Sequence, residues 1–299
     1  MSRSRFPLRL RRHALFGGGG FGLLGAAGLG LLYGEVHLAR RAIPSFGSAP
    51  SADGRYGSER DGHPLRLAMI GDSSAAGVGC ELPSETPGAQ LAAALVERGH
   101  HVELDVLAVS GSRSCDLEPQ VSRCLLDPPD IAVVSVGAND VIGFIKPRDA
   151  VPHLIDAVRR LQAAGVVVVV ATCPDLGVIR PVPQPLRALG RHWSRRMARA
   201  QVRATLAEGA MPLDTGDLIG TLFAERAAEM FCHDRFHPSA AGYRELTRVL
   251  LHAVLAAVDE PPPAPHEALG EPATPPAGDI AVEMPSRLAA DGAGDALTA

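Results

Sequence analysis

Lysine is nearly absent from this chain. Lys146 stands alone among 29 basic residues in 299, a pattern that reads as GC-rich codon usage and not as chemistry. Aromatic side chains make up 4% of the sequence, with one tryptophan, Trp193, which argues against an extended sugar-stacking platform. Positive charge is not in excess either. A formal net charge of -4 excludes a globally basic nucleic-acid binder. Cysteines number five. Cys232, His233 and His237 stand close together, but no second Cys/His group has ligand spacing, so no metal site is expected. Gly77-Val78-Gly79 lacks the third glycine and the acidic strand end of a dinucleotide loop. No cofactor is expected.

Glycine (32) and proline (25) are plentiful, and they are unevenly placed. Residues 1–13 carry five arginines and no acid. From Ala14 to Gly34 no charged side chain occurs, and nine of these 21 residues are glycine. At 1.5 Å per residue such a segment spans about 31 Å, enough to cross a hydrocarbon core. Residues 1–34 are therefore expected to be a basic leader and membrane anchor, with a cleaved signal as the alternative. The flanking arginines place the N-terminus inside and the rest outside the cytoplasm, or secreted if the segment is removed. Residues 35–61 show no apolar period and read as a linker. Residues 259–299 hold eight prolines and eight acids against Arg287, a composition unable to bury enough apolar surface to offset its ordering. About 200 residues, 62–258, remain for a folded domain.

Within that domain apolar runs alternate with amphipathic stretches. Leu65–Ile70, Val102–Val109, Asp130–Val136 and Val166–Thr172 read as strands, with Met211–Leu213 as a short fifth. Helices are expected over Pro87–Arg98, Arg148–Ala164, about 187–208 and from Ser239. The β-branched run Val166-Val167-Val168-Val169-Val170 marks a strand buried on both faces. A βαβα order of this kind predicts an α/β fold, a three-layer sandwich around a parallel sheet of about five strands. Ligands then bind at the carboxyl ends of the strands.

Those ends carry the most distinctive residues. Gly71-Asp72-Ser73-Ser74 closes the first strand, Ser110-Gly111-Ser112 the second, and Gly137-Ala138-Asn139-Asp140 the third. Asp234-Arg235-Phe236-His237-Pro238 precedes the last helix. A serine hydroxyl needs a base to take its proton, and an imidazole oriented by a carboxylate supplies one. Asp234 and His237 are three apart, close enough for one turn to join them. In kind and order the four segments resemble the blocks of the SGNH (GDSL-type) hydrolases. The resemblance implies a flavodoxin-like fold and a triad of nucleophile Ser73, base His237 and orienting Asp234. It also implies an oxyanion hole from the Ser73 and Gly111 N–H groups and the Asn139 amide. Glycine at 111 is expected so that the backbone can approach substrate closely. Asp72 is read as a helix cap, and His233 as structural or substrate-facing.

In an exported domain cysteines are expected to pair. Cys115 and Cys124 form the first expected bridge and Cys173 and Cys232 a second, leaving Cys80 over. The expected substrate is a small-molecule or lipid ester with a short or medium acyl group, its walls formed by Pro174–Pro185 and Ile142–Ile145. An envelope glycan ester, in deacetylation or acyl transfer, is the alternative, and a non-catalytic membrane-anchored binding domain the alternative of another class. Partners are thus the ester and, through residues 14–34, a membrane. No nucleic acid is expected.

Overall fold

A computed structural model describes residues 48–57 and 63–259. The first half contains β1 (Gly54–Tyr56), β2 (Leu65–Gly71), α1 (Ser73–Ala76), α2 (Pro87–Val96), β3 (Val102–Val106), α3 (Leu117–Cys124) and β4 (Ile131–Ser135). The second half contains α4 (Ala138–Ile142), α5 (Pro147–Ala163), β5 (Val167–Ala171), α6 (Leu186–Ala207), β6 (Met211–Leu213), α7 (Thr215–Glu225), α8 (Ala227–Met230) and α9 (Ala240–Asp259).

The strands form one sheet in the order β1-β3-β2-β4-β5-β6. Every pairing from β3 to β6 is parallel, whereas β1 runs antiparallel to β3. The chain leaves β2 toward β3 on one side and returns to place β4 on the other, so the strand order reverses between β2 and β4. That reversal opens the crevice in which open α/β sheets bind ligands.

Strand alternation explains the two layers of helices. Leu67, Met69, Val133 and Val169 point to one face, where Leu91 and Leu95 of α2 and Leu250 and Val254 of α9 cover them. Ala68, Ile70, Val134, Val168 and Val170 point to the other, against Val121 of α3 and Leu154, Val158 and Leu161 of α5. Because the parallel sheet is covered on both faces, its central strands are apolar throughout. Each such valine removed from water contributes on the order of 1.5 kcal/mol.

One boundary differs from the sequence reading. Residues 52–56, assigned to a linker, belong to the domain: β1 adds a sixth, antiparallel edge strand and makes the sheet mixed. Ala52 is buried in the core, the Tyr56 hydroxyl donates to its carbonyl at 2.7 Å, and Asp53 Oδ1 accepts from Val106 N at 2.7 Å. Three residues are too short to show a period, so a strand fixed by its partner leaves no local signal. Among the described residues no helix is long and apolar enough to cross a membrane; the segment 14–34 and the tail beyond 259 lie outside them.

The expected disulfides are not formed. All five cysteines are free thiols. Cys124 ends α3 with its side chain in the core, whereas Cys115 is exposed one turn before that helix begins. A helix of eight residues rises about 12 Å, beyond the roughly 7 Å between Cα atoms that a bridge tolerates. Cys173 is buried beside Ala138 and Met197, while the Cys232 thiol donates to Asp234 Oδ1 at 3.0 Å.

Candidate active site

The end of β2 leaves no room for a side chain at residue 71. A Cβ on Gly71 would lie 1.8 Å from the Ser135 carbonyl oxygen of β4, so only glycine lets the two strands close here. The backbone turns directly into α1. Asp72 caps that helix, its carboxylate accepting from Ser74 N at 2.9 Å, and Ser73 becomes the first helical residue. Gly77, at φ 86°, ends the helix after one turn. Tyr243 of α9, fully buried, donates its hydroxyl to Val78 O at 2.7 Å and pins the following loop.

A second turn brings an imidazole to this serine. Asp234 Oδ1 accepts from the backbone N–H groups of Phe236 (2.7 Å) and His237 (2.9 Å), which wraps 234–237 around the carboxylate. The wrap places His237 Nδ1 2.6 Å from Asp234 Oδ2 and His237 Nε2 3.1 Å from Ser73 Oγ. Phe236 stands edge-on to the imidazole, centroids 4.9 Å apart, and limits its rotation. Burial alone would raise the Asp234 carboxyl, but hydrogen bonds from His237, Cys232 and Phe236 outweigh it and hold it down at about 2. At neutral pH Asp234 therefore only accepts. Nδ1 must carry the ring proton, and Nε2 is left as the acceptor facing Ser73.

Asn139, second residue of α4, donates through Nδ2 to Ser112 O at 2.9 Å; the amide's other hydrogen stays available. Asp140 is buried and accepts from both N and Oγ of Ser114 at 3.0 and 2.9 Å, so consecutive side chains tie α4 to the loop after β3. Gly111 lies in that loop at φ 86°, with open space where a Cβ would stand. A left-handed backbone at this position favours glycine, and the open space beside it leaves the backbone accessible. Gly111 lines a shallow depression with Val109 and Arg123 and is not part of the wall around Ser73.

Two buried glutamines, invisible to motif reading, brace the strand ends. Gln120 of α3 accepts from Gly71 N at 2.8 Å and donates to Gly71 O and Ser112 Oγ, both at 3.0 Å. Gln201 of α6 accepts from Cys173 N at 2.7 Å and donates to Val136 O at 3.0 Å. Each satisfies backbone groups where the ladder stops.

Ser73, Asn139 and His237 open into a cleft of about 850 Å³ counted out to solvent. Pro174, Leu176, Val178 and Ile179 form one wall, as expected from the sequence. The opposite wall is Ile219 and Phe223 of α7 with Phe231 and Leu246, which the sequence reading missed because it left 215–225 unassigned. Ile142 and Phe144 are not in the cleft; they are exposed on the outer surface. Among the described residues no group of His, Cys, Asp and Glu could hold a metal ion.

Asp72 gives the site an unusual pH signature. Complete burial pushes its carboxyl up to about 6, against the opposing pull of the Ser74 hydrogen bonds and of His237. A folded-state value above the unfolded one means that its contribution to stability is full below about pH 4 and is lost as pH rises through about 6. Asp72→Asn keeps a capping oxygen without the charge. Its stability relative to the parent, measured by urea unfolding, is expected to rise by about 2 to 3 kcal/mol between pH 4 and pH 8. A pH-independent difference would refute the burial argument.

The sequence matches the family model described as GDSL-like Lipase/Acylhydrolase family over residues 69–245, a span that includes Ser73, Asn139, Asp234 and His237. It is 39% identical over 280 residues to a GDSL-like esterase of Mycobacterium tuberculosis (strain H37Rv), covering 87% of this chain and 88% of that one. Its fold is similar to that of the psychrotrophic esterase EstA from a Pseudoalteromonas species (TM-score 0.51, 16% identity, 64% of this chain and 99% of that one). The lipase/acylhydrolase from Enterococcus faecalis is comparable (TM-score 0.52, 15% identity, 64% of this chain and 95% of that one).

Proposed function

Because the chain belongs to the GDSL-like lipase/acylhydrolase family and is a carboxylic ester hydrolase, we propose that it acts through a Ser73-His237-Asp234 triad and an acyl-enzyme, on esters of short to medium acyl chains. The observation that carries this reading is the continuous hydrogen-bonded line from Asp234 through the imidazole to Ser73 Oγ.

Ser73 Oγ attacks the carbonyl carbon while Nε2 takes the hydroxyl proton. Asp234, ionised throughout, stabilises the imidazolium. The oxyanion is held by the Ser73 N–H, a first-turn amide with no partner inside its helix, and by the free hydrogen of the Asn139 amide. Gly111 N–H, the third donor that the resemblance implies, lies in the neighbouring depression and not in the wall around Ser73. The imidazolium then returns its proton to the alkoxide, the alcohol leaves, and water enters by the same route to release the acid. Asn139→Ala is expected to lower kcat by roughly 10²–10³-fold with little change in KM, read from steady-state kinetics on p-nitrophenyl butyrate.

The apolar wall of Leu176, Val178, Ile219 and Phe223 supports an acyl chain over a sugar, since sites for polar rings need several converging hydrogen-bond groups. The test is a panel of p-nitrophenyl esters from acetyl to palmitoyl given to the full-length protein. The expected kcat/KM is highest at short to medium lengths and falls toward palmitoyl. A profile restricted to acetyl, together with release of acetate from acetylated glycan, would replace this reading with a deacetylase. Residues 14–34 belong to the proposal as the tether that holds the domain to a membrane, outside the cytoplasm.

A further inference from the structure

Helix α6 carries six arginines and no acid over its 22 residues. Arg191, Arg195, Arg199 and Arg203 recur every fourth position and form one row, with Arg196 and His192 beside it, all exposed. Like charges at this spacing repel along a helix. Asp175 faces the first two, 3.4 Å from Arg191 and 3.3 Å from Arg195. Among the described residues Arg196, Arg199 and Arg203 have no acidic partner.

Next to this row stands an aromatic that the fold holds in solvent. Phe144, just after α4, sits at φ 58° and is 54% exposed. Its ring meets Trp193 of α6 edge-on, centroids 5.3 Å apart, and Ile142 is exposed beside it. The left-handed backbone at Phe144 is the reversal that ends α4, with Phe144 N donating to Val141 O at 3.0 Å and Ile145 N to Asp140 O at 2.8 Å, and it leaves the ring facing solvent beside α6. Arginines bordering exposed aromatic and aliphatic side chains are the composition of a surface that lies on a bilayer. The same layer reaches the catalytic cleft. Asp175 lines the cleft, α4 carries Asn139, and Trp193 packs in one cluster with Phe236.

We propose that the arginine row of α6 and the Phe144 loop dock on an anionic lipid bilayer, turning the mouth of the cleft toward the membrane. Charge complementarity selects an anionic surface, and exposed Phe144 and Ile142 select lipid over a soluble polyanion, because only a bilayer offers them an apolar phase. Between Gly34, the end of the apolar segment, and Ser48, where the described structure begins, lie 13 residues. Extended, they reach about 45 Å, enough for a tethered domain to lie down on the surface.

Trp193 is the only tryptophan in the chain and reports on this face directly. The full-length protein is reconstituted in vesicles of phosphatidylcholine alone and of phosphatidylcholine with an equal part of phosphatidylglycerol. Expected in the anionic vesicles are a blue-shifted emission, quenching by brominated lipid, and an acrylamide quenching constant at least about twofold lower. Arg196→Glu/Arg199→Glu/Arg203→Glu should return these values to those in phosphatidylcholine while hydrolysis of a soluble ester stays unchanged. Arg→Gln at the same three positions should give an intermediate response and guards against misfolding. Equal quenching in both vesicles, or an anionic response that survives the charge reversal, would overturn the proposal. So would increased acrylamide access to Trp193 in lipid-free buffer on removal of residues 260–299, which would assign the row to the chain's own acidic tail.

Discussion

Replacing Ser73 by alanine is expected to reduce hydrolysis of p-nitrophenyl butyrate by at least about 10⁴-fold, with circular dichroism and melting temperature close to those of the parent. The nearby thiols cannot stand in for the lost hydroxyl. Burial, with the nearby Glu85 carboxylate, pushes the Cys80 thiol up to about 12. Burial and the hydrogen bond to Asp234 do the same for Cys232. Neither thiol offers a thiolate at neutral pH. The fold should tolerate the change because the cap of α1 comes from Asp72 and the chain reversal from Gly77, and Ser73 Oγ reaches only His237. Retention of more than about a tenth of the activity would overturn the nucleophile assignment, since removal of a triad member in this chemistry costs orders of magnitude more.

Much of this site is legible in the sequence, for a physical reason that differs from residue to residue. Gly71-Asp72-Ser73 is conspicuous because three local features coincide there: a strand end that excludes a Cβ, a helix cap and a hydroxyl within reach of His237 Nε2. Asp234 and His237 are readable because the turn that joins them is itself built by the carboxylate, so spacing and geometry are one constraint. The strands stand out because a sheet covered on both faces must be apolar at every position, as in Val167–Ala171. What escaped is held from a distance. β1 exists only through its pairing with β3, and the bracing roles of Gln120 and Gln201 arise where three separate segments meet, which no window of sequence contains. The cleft wall from α7 went unseen because Thr215–Glu225 mixes two glycines with its apolar residues and shows no clean stripe. The cysteines misled for the opposite reason: sequence proximity suggested a bridge that the rise of an intervening helix prevents. At Gly111 the positive φ is a backbone property that a glycine in the sequence permits but does not announce.

The Asp234→Asn variant should separate orientation from nucleophilicity, with an expected fall in kcat of about 10⁴-fold and little change in KM. Asparagine is nearly isosteric and can still accept from Phe236 N and His237 N, so the 234–237 turn should survive. What it cannot do is require a proton on Nδ1. With an amide N–H in place of Oδ2, the favoured ring tautomer carries its proton on Nε2, which then has no lone pair for the Ser73 hydroxyl. The imidazolium formed during attack also loses its counter-charge. The parent carboxylate, held at about 2, provides stability that is full above about pH 4 and lost as pH falls toward 2; the variant should lack this slope, measurable by urea unfolding between pH 2 and pH 6. Because nucleophile, base and orienting group act as one unit, the double variant Ser73→Ala/Asp234→Asn should be no slower than Ser73→Ala alone. If the two losses instead multiply, Asp234 acts outside the line to Ser73, and the triad must be redrawn around another partner of His237.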